Sequence, residues 1–395
     1  MKRTIYQTVI NRLKEPRKFI QVLFGPRQVG KTTLMTQVLE EIETPYLFVT
    51  ADDIAGMDDA WLHTVWNRAR VEQSEKKDQD FLLVIDEVQK IQNWSEIVKK
   101  EWDADTQSHR PIKVVLLGSS SLLIQKGLSE SLAGRFEQMY ITHWSYAEMK
   151  EAFDFSIDQY IMYGGYPGAA SLVGDEQRWR SYVRQSLVET TLSKDILMMT
   201  QVNKPILLRR LFDIGSSYSA QILSLNKIQG ELNEKGNLTT LGGYLDLLNA
   251  AGLLCGLDKY AGSIIYQRAS KPKLQVHNNA LMSIQSMKTL AEAKADTTYW
   301  GRLVESAVGT HLLNYSKTEG YELYYWNENS KEVDFVLKCG EKIVSLEVKS
   351  GVDSQNEGIA LFQGKFHPSL SLVIGTDGIP FEKFFTMNPL ELFKI

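Results

Sequence analysis

The sequence lacks the features that mark secreted, membrane-spanning or disulfide-bonded proteins. Its two cysteines, Cys255 and Cys339, lie far apart, which excludes a disulfide framework and a cysteine zinc site. No stretch approaches the roughly 18 consecutive apolar residues of a membrane-spanning helix. The first residues contain no apolar run of signal-peptide length. We therefore expect a soluble protein of the reducing cytoplasm that does not contact a membrane.

An excess of basic residues is also absent. The chain of 395 residues has 44 Lys and Arg against 48 Asp and Glu, a formal net charge of −4. This balance excludes a uniformly basic surface for nucleic acid but leaves local basic patches open. The hydrophobic fraction of 43% and the charged fraction of 23% are close to globular averages, so we expect ordered domains.

The residue pattern changes twice along the chain. Residues 1–150 alternate short apolar runs with amphipathic stretches, the βα alternation of a doubly wound parallel sheet. Residues 151–278 have mainly helical periodicity, and residues 279–395 combine a long amphipathic helix with short alternating strands. We therefore predict an α/β fold class with three domains: a parallel-sheet domain, a helical segment and a small α/β domain.

The most specific motif is GPRQVGKT, which matches G-x-x-x-x-G-K-[ST] in full. It follows a strand-like run and precedes a helix-like run, the context that confirms such a phosphate-binding loop. Its glycines let backbone N–H groups point at phosphate oxygens, the lysine reaches the β- and γ-phosphates, and the threonine hydroxyl can bind Mg²⁺. The predicted site for ATP or ADP comprises Gly25, Pro26, Arg27, Gln28, Val29, Gly30, Lys31, Thr32 and Thr33.

Two further strand-like runs end in side chains that suit phosphate chemistry. FLLVIDE, expected on a neighbouring strand, ends in Asp86, which would hold Mg²⁺, and Glu87, which would orient or activate the attacking water. KVVLLGSS ends in Ser119 and Ser120, either of which could bond the γ-phosphate or the water. A plain serine-rich turn explains the two serines equally well. With the glycine-rich loop, the two carboxylates predict ATP hydrolysis.

SLAGRFE places Arg135 after a glycine in a polar stretch. An arginine in such a position can donate to the γ-phosphate of a neighbouring subunit, which would imply a homo-oligomer. From residue chemistry alone, an ordinary surface arginine is the favoured alternative.

GPRQVGKTTL, LLVIDEVQKIQNW, LLGSSSLLI and ESLAGRFEQMYI together resemble a prokaryotic AAA-type ATPase family whose members carry an uncharacterised C-terminal region. YGGYPGAA, SKDI, WGRLVES and the pair EVDFVL and LEVKSG are similar to that region, so the resemblance covers nearly the whole chain. The resemblance implies an AAA+-like P-loop NTPase fold for residues 1–150. It also implies a polar sensor at Ser119 or Ser120 and a finger role for Arg135.

The middle segment contains a helix-turn-helix pattern from Ser224 to Leu254, followed by strand-like residues. A β-hairpin wing there would carry the basic residues Lys259, Arg268, Lys271 and Lys273. The resemblance to the family also suggests a winged-helix element. The second helix has no Lys or Arg, so contact with a nucleic-acid backbone and pure scaffolding both remain open.

EVDFVLKCGEKIVSLEVKSG, from Glu332, predicts a β-hairpin whose tip is Gly340 and Glu341. Opposed residues then have numbers that sum to 681. One predicted face is wholly apolar and must be buried; its pairs are Val333 with Val348, Phe335 with Leu346, and Leu337 with Val344. On the other face Glu332 opposes Lys349 and Asp334 opposes Glu347.

Carboxylates that face each other across a ladder repel unless a cation lies between them. We therefore predict that Asp334 and Glu347 share a Mg²⁺ ion, with Lys349 beside it to orient water or stabilise charge on a phosphate. This set resembles the restriction-endonuclease-like core, and Glu305 on the preceding amphipathic helix matches its acidic helix position. The alternative is an edge hairpin with a solvated face, where Lys349 neutralises the carboxylates.

These features predict an ATPase whose nucleotide state governs a nuclease-like or nucleic-acid-binding C-terminal domain, at residues 279–395. The alternative is a nucleotide-dependent switch or scaffold whose C-terminal domain is catalytically inactive and binds DNA or a protein.

Overall fold

The computed structural model describes residues 1–53, 59–76, 79–119, 131–197, 202–232, 238–261, 270–351, 357–376 and 378–394. The chain forms two compact units, Met1–Ile141 and Thr142–Ile395. Within the described ranges, no helix is both long enough and apolar enough to cross a membrane. The division into three domains stays a prediction, because the second unit spans the two later segments.

The first unit is a five-stranded sheet in the order β2-β3-β4-β1-β5, with every described pair of strands parallel. Its described helices and strands, in chain order, are α1 (Tyr6–Lys14), β1 (Ile20–Phe24), α2 (Lys31–Glu41), β2 (Tyr46–Thr50), α3 (Asp59–Ser74), β3 (Phe81–Asp86), α4 (Trp94–Gln107), β4 (Ile112–Gly118) and β5 (Phe136–Tyr140).

The central strands of this sheet are buried along their whole length, which explains their continuous apolar sequences. Helices cover both faces. Trp66, Trp94 and Trp102 pack in the core on one face, while Leu34 and Met35 of α2 pack in the core on the other. All five strands place their carboxyl ends at one edge, where the candidate phosphate site lies.

One expectation about this sheet was wrong. The strand that ends in Asp86 is not the neighbour of the strand that precedes the phosphate loop, because β4 pairs with both β1 and β3. Short apolar runs show which segments are strands, but they do not show the lateral order of strands joined by crossover helices.

The second unit contains two sheets and many helices. Its described helices and strands, in chain order, are α5 (Tyr146–Phe153), α6 (Ile157–Tyr163), α7 (Glu176–Tyr182), α8 (Pro205–Ser217), β6 (Gln221–Ile222), α9 (Leu225–Glu231), α10 (Leu238–Ala250), β7 (Leu254–Leu257), β8 (Lys273–Val276), α11 (Ala280–Ser283), α12 (Leu290–Ala295), α13 (Thr297–Glu319), β9 (Glu322–Glu328), β10 (Lys331–Cys339), β11 (Lys342–Lys349), α14 (Glu357–Phe366), β12 (Leu370–Gly375) and α15 (Phe381–Thr386). Two π-helical turns, Val183–Val188 and Thr191–Leu197, follow α7.

Strands β6, β8 and β7 form an antiparallel sheet with β8 in the middle. Strands β12, β11, β10 and β9 form the second sheet, so β10 and β11 are its two central strands rather than an edge hairpin. Their pairing confirms the predicted hairpin register, with Phe335 opposite Leu346 and Leu337 opposite Val344.

A bulge changes which residues share a face of β10. The pairing of β10 with β9 shifts register between Val333 and Val336. As a result, Val333 and Val336 pack in one core cluster, whereas Phe335 and Leu337 pack in another. The prediction that Val333 shares the face of Phe335 was therefore wrong, because strict alternation assumes a ladder without a bulge.

Candidate nucleotide site and acidic cluster

The glycine-rich loop between β1 and α2 has a backbone that other residues would not fit. Gly25 has φ +158°, and a Cβ built there would lie 2.1 Å from the carbonyl oxygen of Ile141. Gly30 has φ +85° and precedes the first residue of α2, so its N–H and those after it lie at a helix N-terminus. Backbone amides at such a terminus attract phosphate oxygens.

Lys31 is buried, and its ammonium group is held close to the loop. Its Nζ donates to the carbonyl oxygens of Gly25 at 3.0 Å and Pro26 at 2.7 Å. Val29 is buried in the core against α2, whereas Gln28, Thr32 and Thr33 are exposed. The loop therefore holds the Lys31 ammonium close to its own backbone and leaves an exposed surface where a phosphate chain can lie.

Thr32 and Asp86 come together at the carboxyl edge of the sheet, as the sequence predicted. Thr32 Oγ1 donates to Asp86 Oδ2 at 2.7 Å. Burial raises the pKa of Asp86 above its ordinary value; the Thr32 hydroxyl opposes this effect, and the nearby Glu87 charge adds to it. A hydroxyl beside a desolvated carboxylate is the donor set that Mg²⁺ uses in phosphate-loop proteins, so these residues fit that ion.

Glu87 lies beyond the end of β3 with left-handed backbone angles, φ 53° and ψ 36°. This conformation is uncommon for a residue other than glycine and is often found at functional sites. The Glu87 carboxylate accepts a hydrogen bond from Ser119 Oγ at 2.9 Å and another from the Gln89 amide. Gln89 also donates to Ser119 Oγ at 3.3 Å, so each of these three side chains contacts the other two.

Ser119 therefore contacts Glu87, as its expected place near the attacking water requires. Ser120 lies outside the described residues. Gln89 is a site residue that no sequence motif marks; it lies in the short helical turn Val88–Lys90, directly after Glu87.

Arg135 lies at the amino ends of the parallel strands, whereas the phosphate loop lies at their carboxyl ends. Its backbone oxygen accepts from the N–H of Ile20, the first residue of β1, whereas the loop follows Phe24. The five residues of β1 separate these two ends of the sheet by roughly 15 Å, at about 3.3 Å per residue. Its guanidinium donates to both carboxylate oxygens of Asp103, at 2.8 and 3.0 Å. Arg135 therefore cannot reach the phosphate site of its own chain.

Three carboxylates converge in the second unit, on different elements. Oxygens of Glu305 on α13 and of Glu332 and Asp334 on β10 all lie within 4.8 Å of one another. We call these three residues the acidic cluster. Two of them, Glu305 and Asp334, belong to the predicted metal set, and Glu332 was missed because the predicted register paired it with Lys349.

The ammonium group of Lys273, on β8, lies among these carboxylates. Its Nζ is 2.6 Å from Glu305 Oε1, 3.0 Å from Glu332 Oε1 and 3.7 Å from Asp334 Oδ1. The Lys273 side chain is fully buried. Lys273 therefore lies on a strand that pairs with β7, but its buried ammonium is not available to a nucleic-acid backbone. Of the other basic residues of that set, Lys271 is exposed, Lys259 is half-buried and Arg268 lies outside the described residues.

Glu347 and Lys349 form a separate pair. Lys349 Nζ lies 2.5 Å from Glu347 Oε1. Asp334 has other contacts: its Oδ2 accepts from the backbone N–H of Val348 at 2.7 Å, and its Oδ1 lies 3.7 Å from Lys273 Nζ. The prediction that Asp334 and Glu347 have a Mg²⁺ ion between them stays a prediction.

The charged groups of the acidic cluster shift one another's pKa values. Burial lowers the pKa of the Lys273 ammonium, but the charges of Glu305, Asp334 and Glu332 outweigh burial and leave that pKa above its ordinary value. Burial raises the pKa of Glu305, against the opposing effect of Lys273. The carboxylates thus favour the charged form of Lys273.

Comparisons with known proteins agree with the geometry of the first unit. Residues 17–150 match the model of a family described as an AAA domain. The first unit therefore has the fold of an AAA-type P-loop domain. Residues 154–291 and 300–393 match two families described as domains of unknown function, DUF8612 and DUF4143. No curated protein matches the chain.

Similar solved structures include the Holliday junction branch migration motor RuvB of Thermotoga maritima and the Orc1 protein of Aeropyrum pernix in complex with DNA. RuvB is 18% identical, with a TM-score of 0.33, over 64% of this chain and 85% of that one. Orc1 is 11% identical, with a TM-score of 0.30, over 73% and 91%.

Proposed function

We propose that the first unit hydrolyses ATP with Mg²⁺ and that its nucleotide state governs what the second unit binds. One observation supports hydrolysis above simple binding. Glu87, a carboxylate in a left-handed backbone conformation beside the Thr32–Asp86 pair, is oriented by Ser119 at 2.9 Å. A carboxylate held in this way has no task in binding a triphosphate but has the chemistry to orient or deprotonate water.

Each residue has one role in this proposal. Backbone N–H groups of the loop and the Lys31 ammonium bind the phosphate chain, and Thr32 and Asp86 are the residues that would hold Mg²⁺. When bound, Mg²⁺ supplies positive charge that neutralises the β- and γ-phosphate oxygens. Glu87 positions the attacking water and takes up its proton, and Ser119 fixes the carboxylate.

Two substitutions separate binding from turnover. We expect Lys31→Ala to abolish binding of a fluorescent ATP analogue, because it removes the ammonium that contacts the phosphates. We expect Glu87→Gln to bind the analogue as tightly as the wild type but to release phosphate at least about 100-fold more slowly, the usual contribution of a general base. Wild-type turnover in Glu87→Gln would refute the assignment of Glu87.

We further propose that the second unit binds nucleic acid, with DNA as the first ligand to test. The order α8, β6, α9, α10, β7, β8, with β8 in the middle of the small sheet, is the arrangement of a winged helix. Lys259 follows β7 by two residues and the exposed Lys271 precedes β8 by two. For residues 279–395 the long helix before a four-stranded sheet supports the endonuclease-like fold that the sequence suggested.

Binding and cutting give different results in one experiment. Plasmid DNA is incubated with the protein, Mg²⁺ and either ATP or ADP, and the wild type is compared with Asp334→Ala and Lys349→Ala. We expect nucleotide-dependent retention of the DNA and no nicking by any of the three proteins. Nicking by the wild type that both variants lose would establish the nuclease alternative. Retention that does not differ between ATP and ADP would refute the coupling.

Arg135 would add one more group to the proposed ATPase site, from a neighbouring copy of the chain. Since Arg135 cannot reach its own phosphate site, we propose that it acts in trans, on the γ-phosphate bound by a neighbouring copy of this chain. Its bidentate pair with Asp103 would then be exchanged for the phosphate when copies assemble.

A further inference from the structure

The acidic cluster, formed by Glu305, Glu332 and Asp334, contains its own cation. We infer that the Lys273 ammonium takes the place of a divalent metal in this cluster and keeps it metal-free, so that the second unit contacts nucleic acid without cutting it. The inference does not depend on the proposed ATP hydrolysis, but the contact with nucleic acid rests on the proposed function of the second unit.

The first argument is geometric. An ammonium group has three N–H donors, and Lys273 has acceptors for all of them: Glu305 Oε1 at 2.6 Å, Glu332 Oε1 at 3.0 Å and the carbonyl oxygen of Asp334 at 3.2 Å. These acceptors come from a helix and a strand that are distant in sequence. Mg²⁺ requires oxygens at about 2.0–2.1 Å in an octahedral arrangement, so it cannot bind at this point while Nζ is there.

The second argument concerns where Lys273 could go. Its backbone belongs to the middle strand β8, paired with Leu257 on one side and Ile222 on the other. Its side chain is fully buried, and its Nζ lies 5.0 Å from the centre of the Phe335 ring. To admit a metal, the ammonium would have to leave its carboxylates while it stays in an apolar environment, which burial strongly disfavours.

The third argument concerns the carboxylates themselves. Solvent reaches part of the cluster, since the side chains of Glu305 and Glu332 are 24% and 39% exposed, so access alone does not exclude a metal. Their inward oxygens, however, are already bonded to Lys273. Asp334, the residue that any metal site on this hairpin would use, has one oxygen on Val348 N–H and the other facing the ammonium.

The decisive experiment measures Mn²⁺ binding by electron paramagnetic resonance to the full-length protein, freed of nucleotide and of metal. Wild type and Asp334→Asn are compared. We expect the two proteins to bind the same number of Mn²⁺ ions, because neither holds one at the cluster. A Mn²⁺ ion that the wild type binds and Asp334→Asn loses would overturn the inference, whether the ion lies with Glu305 or with Glu347.

A second variant tests whether the Lys273 ammonium is what keeps a metal ion out of the acidic cluster. We expect Lys273→Met to gain one Mn²⁺ ion that the control Lys271→Met, an exposed lysine two residues away, does not gain. The gain should disappear when Asp334→Asn is added. Soluble Lys273→Met without a new Mn²⁺ ion would refute the exclusion by Lys273. If Lys273→Met is insoluble, the comparison of wild type with Asp334→Asn still decides the inference.

Discussion

At the scale of single residues, the account depends on how three side chains are arranged around one carboxylate. Glu87 is fixed by Ser119 and by Gln89, and Gln89 also contacts Ser119. Neither contact involves the phosphate loop. Ser119 and Gln89 therefore act as positioning residues, whose loss should change turnover rather than nucleotide affinity.

We predict that Gln89→Ala and Ser119→Ala each lower kcat for ATP by about tenfold, equivalent to about 1.4 kcal/mol in the barrier, because the Glu87 carboxylate becomes free to rotate. The dissociation constant for ATP should not change. Steady-state phosphate release and equilibrium nucleotide binding measure the two quantities. The control is Gln107→Ala, at the exposed end of α4. Equal kcat values in all four proteins would contradict the positioning role.

Residue-level prediction from the sequence was possible where the chemistry is local. The phosphate loop, Asp86, Glu87 and Ser119 follow from short motifs, because each side chain is placed by the strand or turn that carries it. Lys273 could not be placed in this way, since its carboxylate partners lie on other elements. Its place between Pro272 and Leu274, at the start of the strand KLQV, does not show which carboxylates it meets.

At the scale of elements, the close packing of helix α14 on strand β10 determines which face of the second sheet is buried. Helix α14 lies against β10 so closely that a Cβ on Gly358 would be 2.0 Å from the carbonyl oxygen of Glu332. The face of β10 that the sequence left open to solvent is therefore covered, and Val336 is buried there beside Phe362. The bulge near Asp334 belongs to the same region and turns that carboxylate toward Lys273.

We predict that Gly358→Ala destabilises the second unit by roughly 1–3 kcal/mol, because the new methyl group forces α14 away from β10. Gly364 lies in the same helix, and a Cβ there meets nothing within 4 Å. Gly364→Ala should therefore leave stability unchanged or raise it by up to about 1 kcal/mol through helix propensity. Urea unfolding followed by circular dichroism compares the two variants. Equal stability of both would show that α14 does not pack as described.

Helices and strands were predictable from the sequence where the spacing of their apolar residues is regular. The hairpin register was confirmed because the Gly340 turn and the apolar face of Phe335 and Leu337 fix it together. The bulge was not predictable, since the residues around it alternate as an ordinary strand would. The lateral order of the parallel strands was also beyond the sequence, because crossover helices connect strands that need not be neighbours.

At the scale of the whole molecule, the proposal requires copies of the chain to assemble. Arg135 lies across the sheet from its own phosphate loop and is paired with Asp103. A finger that acts in trans makes each active site a composite of two chains, with the loop from one and the arginine from the other.

We predict complementation between two inactive variants. Lys31→Ala cannot bind ATP but retains Arg135, and Arg135→Ala binds ATP but lacks the finger. Each alone should hydrolyse ATP at least about 100-fold more slowly than the wild type, and an equimolar mixture should regain activity. Arg12→Ala, an exposed arginine on α1, is the control. If Arg135→Ala is as active as the wild type, or if the mixture recovers nothing, Arg135 does not act in trans.

The central claim is that the first unit binds a nucleoside triphosphate through its glycine-rich loop and Lys31. Isothermal titration calorimetry with ATP and with ADP, in magnesium buffer, measures this directly. We expect heat of binding at one site per chain for the wild type and none for Lys31→Ala. If the folded wild type gives no heat with either nucleotide, the account is contradicted at its foundation.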